Sequence, residues 1–476
     1  MRPEPPEKPT RRPGGIREML SVALPMVVTL SCDTLMTFTD RWFLSRLGPN
    51  AMNAALGGGT FHFLSLTFFM GLIGYTNALV AQHYGAKQKA ACSRVVTQGI
   101  LVALAAWPLL LLLRPVAARV FALGGISTEQ ALLQTQFFNI LVLGSGVGLA
   151  RNALSGFFCG IGRTQVVMVS ALAATAVNAF LNWVLIFGHL GFPALGIQGS
   201  AIGTLCGTLV GALILASVYF SRKIRETYVV LASFHLDRHL MRQLWRFGTP
   251  PGVEFFLNVL GFYAMISLFQ AAGPATTTAA TVLFNWDMVS FVPLVGVEIG
   301  VTSLVGRYVG ARDLASCQAS TRSGLSITWI YSAIVTVFFI AMPEPLVRLF
   351  EPPTLDPVFE AAVPTAVAFL RLAALYVLSE GFLLVYVGAL RGAGDTFWTM
   401  CFVVSTQWIM VAAIFVTTRV FHASAVMGWA VAVAFFIPLP LLLRRRWNSG
   451  AWKRIQPLSS PPDPEGGEET QPLRDI

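Results

Sequence analysis

Charge is what this chain has least of. Asp, Glu, Lys and Arg make up 12% of its 476 residues, against about 25% in an ordinary soluble domain. That is too little to cover a water-facing surface. Six stretches carry no charged residue of these types: 51–84, 95–113, 164–221, 255–286, 323–343 and 396–418. Cysteine is also scarce. Cys32, Cys92, Cys159, Cys206, Cys317 and Cys401 include no CxxC and read as small packing residues, with no disulfide or metal role. There is no Walker A loop, so ATP does not drive this protein through such a site. The Gly-x-Gly runs at 160–162 and 392–394 close apolar segments and follow no strand, which excludes a dinucleotide fingerprint. No His/Cys/Asp set has metal-ligand spacing, and no enzyme activity is expected.

Hydrophobic length is what remains. The chain is 55% hydrophobic with a mean hydropathy of +0.66. About twenty apolar residues cross a bilayer core, and backbone amides in lipid must bond within their own segment, which favours helices. A membrane β-barrel needs short alternating strands, and these solid apolar runs contradict that. The expectation is an all-α polytopic membrane protein of about 12 spans at 18–45, 52–83, 95–114, 130–158, 165–188, 197–220, 247–271, 277–308, 321–343, 363–390, 396–418 and 424–443. The first ten residues are rich in Pro and charge, unlike the start of a signal peptide, so the first span is expected to stay in the mature protein.

Lys and Arg set the expected orientation. Arg11, Arg12 and Arg17 precede the first span; Lys87, Lys89 and Arg94 follow the second. Arg222, Lys223, Arg225, Arg238, Arg242 and Arg246 follow the sixth, and Arg444, Arg445 and Arg446 end the last. The loops 189–196 and 271–278 have none, and 342–360 is acidic on balance. Both termini are therefore expected in the cytoplasm, with the protein in the cell's inner (plasma) membrane. Basic loops account for the net charge of +10, and no nucleic-acid partner is needed.

The chain repeats itself. Pro25 and Pro250 stand 225 residues apart, as do Gly48 and Gly273, Pro49 and Pro274, Gly85 and Gly310, Ala86 and Ala311, and Cys92 and Cys317. Further on, Gly-Ile-Gly-Arg-Thr at 160–164 matches Gly-Ala-Gly-Asp-Thr at 392–396, an offset of 232. Each half holds six spans, so both enter the membrane in the same sense and the repeat axis runs along the membrane normal. Transporters of this plan rock one half against the other. The expected divisions are a cytoplasmic segment 1–17, an N-lobe 18–221, a cytoplasmic linker 222–246, a C-lobe 247–446 and a disordered cytoplasmic tail 447–476.

These landmarks carry a resemblance. Pro25 with Asp-Arg-Trp-Phe-Leu-Ser-Arg-Leu-Gly at 40–48, Val80 to Gln82 with Gly85 and Ala86, and Asn178 to Asn182 with Ile186 to Gly188 stand in the first half. Pro250, Phe-Val-Pro-Leu-Val-Gly at 291–296, Leu304 to Gly306 with Gly310 and Ala311, and Arg-Gly-Ala-Gly-Asp-Thr at 391–396 stand in the second. In order and spacing they resemble the MATE (multidrug and toxin extrusion) family, NorM-like branch, of the MOP flippase superfamily, over about residues 18–443. The resemblance implies a V-shaped antiporter that exports organic, often cationic, small molecules, driven by inward Na⁺ or H⁺, with no other cofactor and with a monomer in the lipid bilayer as the working unit.

Ionisable groups within spans are costly and are functional candidates by default. Glu380 lies deep in span ten with Tyr376 one turn earlier, and the pair resembles the cation site of the NorM-like branch. A carboxylate beside another oxygen suits Na⁺ or a proton; pairing with Arg371 is the structural alternative. The resemblance places a partner acid at 258, but the chain has Asn258. Glu254, one turn earlier, and Asp287 in span eight are the candidates to replace it, while Glu298 lies nearer the cytoplasmic end. In the N-lobe, Asp40 matches the family's acid of span one, with Asn178 and Asn182 on one face of span five; some branches carry Asp at the position of Asn182. In related transporters such a cluster responds to protonation and bends span one at its proline, here Pro25. Asp40 could instead pair with Arg41 or Arg46. Asp33 lies two turns from Asp40 and is the repeat mate of Asn258, as His62 is of Asp287. A membrane histidine is commonly an interhelical hydrogen-bonding group, and Arg151 reads as a counter-ion or as snorkelling to an interface.

Bulky cations are held by aromatic walls and a few acids. Phe61, Phe63, Phe68, Phe69, Phe284 and Trp286 are candidates for the cleft, or for lipid-facing packing. The alternative function is a lipid-linked oligosaccharide flippase of the same superfamily, which calls for a basic cavity.

Overall fold

The computed structural model describes residues 12–352 and 356–455. Among these residues there is no strand. The first half comprises α1 (Ile16–Ser45), α2 (Pro49–Gly74), α3 (Thr76–Gly85), α4 (Lys89–Leu111), α5 (Arg114–Leu123), α6 (Thr128–Leu143), α7 (Ser145–Gly160), α8 (Thr164–Phe187) and α9 (Ile197–Tyr219). A short α10 (Arg222–Thr227) leads to α11 (Arg238–Gln270), α12 (Pro274–Gly310), α13 (Leu314–Ala341), α14 (Pro343–Arg348), α15 (Pro357–Ala393), α16 (Thr396–Phe415), α17 (Ala425–Phe436) and α18 (Leu439–Asn448). Among the described residues eleven helical segments are long and apolar enough to cross a bilayer, and α6 with α7, bent by 47°, makes a twelfth when the pair is taken as one span. Each of the twelve overlaps one of the expected spans.

The repeat is visible in backbone geometry. Gly48 and Gly273 both adopt positive φ, 127° and 118°, to start α2 and α12, each followed by Pro in the first turn, where its missing N–H costs nothing. The mates Lys87 and Arg312 share the left-handed conformation at φ 62° and 58°. Cys92 donates to the Val80 carbonyl at 3.7 Å, and Cys317 to that of Val305 at 3.8 Å, again mates.

The lobes meet along two related seams. On one, Gly71 lies against the backbone of Pro251 and Gly252; on the other, Gly296 lies against Val27, the mate of Gly252. Glycine is needed here because a Cβ would come within 3 Å of the opposing chain. Gln82 donates to the Gly392 carbonyl at 2.8 Å, and Ser303 to that of Cys159 at 2.6 Å. Near the start of α1, Glu18 holds Arg307 at 3.3 Å and accepts from Tyr308 at 2.7 Å. These contacts lie in the half of each helix nearest the basic loops, here called the basic end. Phe63 and Phe255, 5.9 Å apart, close the seam at mid-depth.

Two expected boundaries move. The seventh span does not begin at 247: Asp237 caps a helix that starts at Arg238 and runs unbroken to Gln270. Hydropathy sees only the lipid-buried part of a helix, so the basic turns holding Arg238, Arg242 and Arg246 read as linker. The residues before them pack on α4, where Ser93 donates to the Tyr228 carbonyl and Gln98 to that of His235. Nor does order end at 447. Trp447 and Trp452 stack at 4.4 Å, and the Trp452 indole donates to the Trp447 carbonyl. Residues 1–11 of the expected N-terminal segment and 456–476 of the expected tail lie outside the described residues.

Candidate functional site

Pro25 leaves one hydrogen bond of α1 unmade. Pro25 has no N–H for the Ser21 carbonyl; Thr164 donates to that carbonyl across the helix interface at 3.4 Å, and Thr29 donates to the Pro25 carbonyl at 2.8 Å. Four turns on, buried Asp40 accepts from Asn178 at 3.0 Å, from Asn182, and from Thr204 of α9 at 2.9 Å. Asn178 and Asn182, one turn apart on α8, are joined to each other at 3.3 Å. Gly203 lets α9 approach, since a Cβ there would lie 2.3 Å from Asn182. All the donors are neutral. Neither Arg41 nor Arg46 pairs with Asp40; Arg46 lies over the Trp42 ring at 5.2 Å. Thr204 is not legible from the sequence, because nothing in its spacing marks which span-six residue faces Asp40.

Asp33 is not part of this cluster. It lies 3.7 Å from Arg151 of α7, with its side chain 48% exposed and that of Arg151 14%. Arg151 is thus a counter-ion, and its Nε is buried without a partner.

In the C-lobe, the Tyr376 hydroxyl of α15 donates to Asp287 of α12. Glu380, 8% exposed and one turn along α15, lies within electrostatic range of Asp287, Tyr376 and Tyr331. Its Oε2 is buried with no hydrogen-bond partner, and no ion pair with Arg371 exists. Ser332 of α13 lies against Gly381 and also leaves its buried Oγ unpartnered. Trp429 and Phe436 pack edge-on to the Tyr376 ring at 5.7 and 5.6 Å. The result is two carboxylates, a phenol and a hydroxyl with no basic group among the described residues. Asn258 contributes no charge, and its Oδ1 is buried and unpartnered.

Glu254 is the correction. It belongs to a separate triad in which Arg391 bonds Glu254 at 3.0 Å and Glu298 at 2.5 Å. Arg391 stands three turns beyond Glu380 toward the basic end, level with a residue one turn below Asn258, so the guanidinium claims Glu254. Of the two candidates for the missing acid, Asp287 is the one joined, through Tyr376, to the helix that carries Glu380.

His62 hydrogen-bonds Ser145 at 3.0 Å. It links α2 to α7 where its mate Asp287 links α12 to α15. Among the aromatic candidates, Phe61 packs on Phe121 and Phe138 in the N-lobe core, Phe68 on Phe69, Phe284 on Phe262, and the Trp286 indole donates to Leu346. Phe63, reaching Phe255, and Phe68, lying against Gly252, are at the lobe seam. No group of three or more His, Cys, Asp or Glu side chains suited to a metal occurs among the described residues. Any Na⁺ at Glu380 and Tyr376 would rely on Asp287 as its second carboxylate.

The sequence model of the MatE family matches residues 25–184 and 250–417. A probable multidrug resistance protein NorM from Bradyrhizobium diazoefficiens is 30% identical over 403 residues, covering 82% of this chain and 84% of its own. One of the same description from Pseudomonas putida is 29% identical over 407 residues, covering 83% and 86%. The fold is similar to that of a MOP superfamily transporter from Pyrococcus furiosus, with a TM-score of 0.83 at 19% identity over 92% of this chain and 97% of that one.

Proposed function

Because the chain belongs to the MATE family of membrane transporters, we propose that it is an antiporter that exports organic, chiefly cationic, small molecules in exchange for inward H⁺ or Na⁺. The NorM relatives are described as multidrug resistance proteins, which supports multidrug efflux as the class of work. With the basic end read as cytoplasmic, the inter-lobe contacts there close that side, and the conformation is read as outward-open.

One observation carries the coupling: buried Glu380 has Asp287 beside it and no cation among the described residues to balance either. Two ionised carboxylates in a low-dielectric bundle are costly, and one bound cation removes most of that cost. A proton shared between them, or Na⁺ held by the carboxylates with the Tyr376 and Ser332 oxygens, meets the same need. Asp40, held by neutral donors alone, is a second uptake point in the other lobe. In the outward-open state the cleft releases substrate and admits the cation; after the lobes rock about the glycine seams, the exchange reverses at the basic end.

The test is uptake of a fluorescent organic cation into everted membrane vesicles. An imposed H⁺ or Na⁺ gradient accelerates it if the reading is right; uptake indifferent to both contradicts it.

A further inference from the structure

At the basic end, on the outside of the C-lobe, a cavity of about 430 Å³ lies between α13, α15 and α18, lined by Arg322, Arg444, Lys453, Tyr386, Trp447 and Trp452 among others. The cations are not partnered: neither Arg322, Arg444 nor Lys453 forms an ion pair with a described carboxylate, whereas neighbouring Arg446 is held by Asp395 at 2.7 Å. Lys453 lies over the Trp452 ring at 5.8 Å. The Trp447–Trp452 stack, with planes 8° apart, makes a rigid wall. Tyr386, 7% exposed, lines the cavity, and its hydroxyl bonds no described residue. Three cations and a free hydroxyl on one cavity call for an anion with several oxygens, such as a phosphate ester.

The surroundings decide which one. Leu325 lines the cavity, and a shallower depression sharing Arg444 and Asn448 continues past Leu441, which is 60% exposed. A soluble phosphate has no use for these leucines. An acyl chain does, and basic pockets between helices at this membrane level suit acidic lipid head groups. We infer that this cavity is a binding site for an anionic phospholipid, with the phosphate on Arg322, Arg444, Lys453 and Tyr386 and an acyl chain running over Leu325 and Leu441.

The site is independent of the coupling residues, so its test does not depend on transport. The full-length protein in neutral detergent is titrated with phosphatidylglycerol, phosphatidylcholine or inorganic phosphate, and followed by native mass spectrometry and thermal unfolding. Phosphatidylglycerol is expected to bind and raise Tm; phosphatidylcholine and inorganic phosphate are not. The triple variant Arg322→Gln/Arg444→Gln/Lys453→Gln weakens binding on the order of a hundredfold, while Arg322→Lys/Arg444→Lys retains most of it. Unchanged binding by the triple variant overturns the proposal, as does an equal effect of inorganic phosphate. The acidic residues Asp463, Glu465, Glu468 and Glu469 follow the site in sequence. A lipid effect that emerges only when 456–476 are deleted would assign the cavity to that segment and overturn the proposal as well.

Discussion

Gly85 and Gly310, 225 residues apart, press on each other's lobes: a Cβ on Gly85 would lie 1.8 Å from the Arg307 carbonyl oxygen, and one on Gly310 1.9 Å from that of Gln82. Gln82 and Arg307 are themselves mates, so the pseudo-two-fold axis passes between these two contacts. Overpacking costs about 1–3 kcal/mol, and here the cost falls only on the state in which the basic end is closed. Gly85→Ala and Gly310→Ala should each shift the protein away from the outward-open state, seen as longer spin-label distances between the lobes at the basic end. Unchanged distances in both variants would contradict the account of the seam.

Asp40 depends on three neutral donors. Asn182→Ala and Thr204→Val each remove one, at roughly 1 kcal/mol for an interhelical bond in a membrane. Lowered Tm with α1 labelled at both ends should accompany a change in the pH dependence of export. The same change with Arg46→Gln would point instead to surface charge, since Arg46 does not touch Asp40.

The Arg391 triad holds α11, α12 and α15 together. Removing its one cation leaves two buried carboxylates, and breaking a buried pair in this way costs about 3–5 kcal/mol. Arg391→Met should therefore destabilise the protein far more than Glu254→Gln does. Comparable losses in the two would mean that the triad's charges are not coupled.

Asp313 caps α13 in a basic-end turn, accepting from the Ser316 amide at 3.0 Å and from its hydroxyl. These bonds hold its carboxyl below the ordinary value of 3.8. A depressed folded pKa means that the stabilisation is complete above the unfolded value and is lost as the pH falls through the folded one. Asp313→Ala should lower stability by about 1 kcal/mol at neutral pH and by progressively less below pH ~4. A constant difference across that range would contradict the cap.

The twelve spans and the twofold repeat were legible in the sequence because both rest on local signals: apolar length, and Gly or Pro at turns that need them. Helix ends were less so. Arg238, Arg242 and Arg246 are polar for the membrane but good for a helix, and hydropathy cannot separate the two. Within the sites, helical spacing puts Asn178 with Asn182, and Tyr376 with Glu380, on one face, and the family resemblance supplied Asp40 and the reading of Glu380 as a cation site. Partners from other helices were not. Thr204 and Ser332 carry no sequence mark, and whether Arg391 or Glu380 meets Glu254 depends on the height at which the helices cross. The departure at Asn258 reads differently with Asp287 in place: an acid of α12 bonds Tyr376, one turn from Glu380, and the repeat mate of Asn258, Asp33, is paired with Arg151.

The central claim is that Glu380 and Asp287 together bind the driving cation. The direct measurement is organic-cation uptake into everted vesicles with pH and Na⁺ gradients varied independently, for the unaltered protein, Glu380→Gln, Asp287→Asn and the double variant. The account predicts that one gradient drives the unaltered protein, that each single variant loses at least about tenfold of that acceleration, equivalent to about 1.4 kcal/mol, and that the double variant is no worse than either single one. Gradient-driven uptake that survives in Glu380→Gln and Asp287→Asn alike would contradict it.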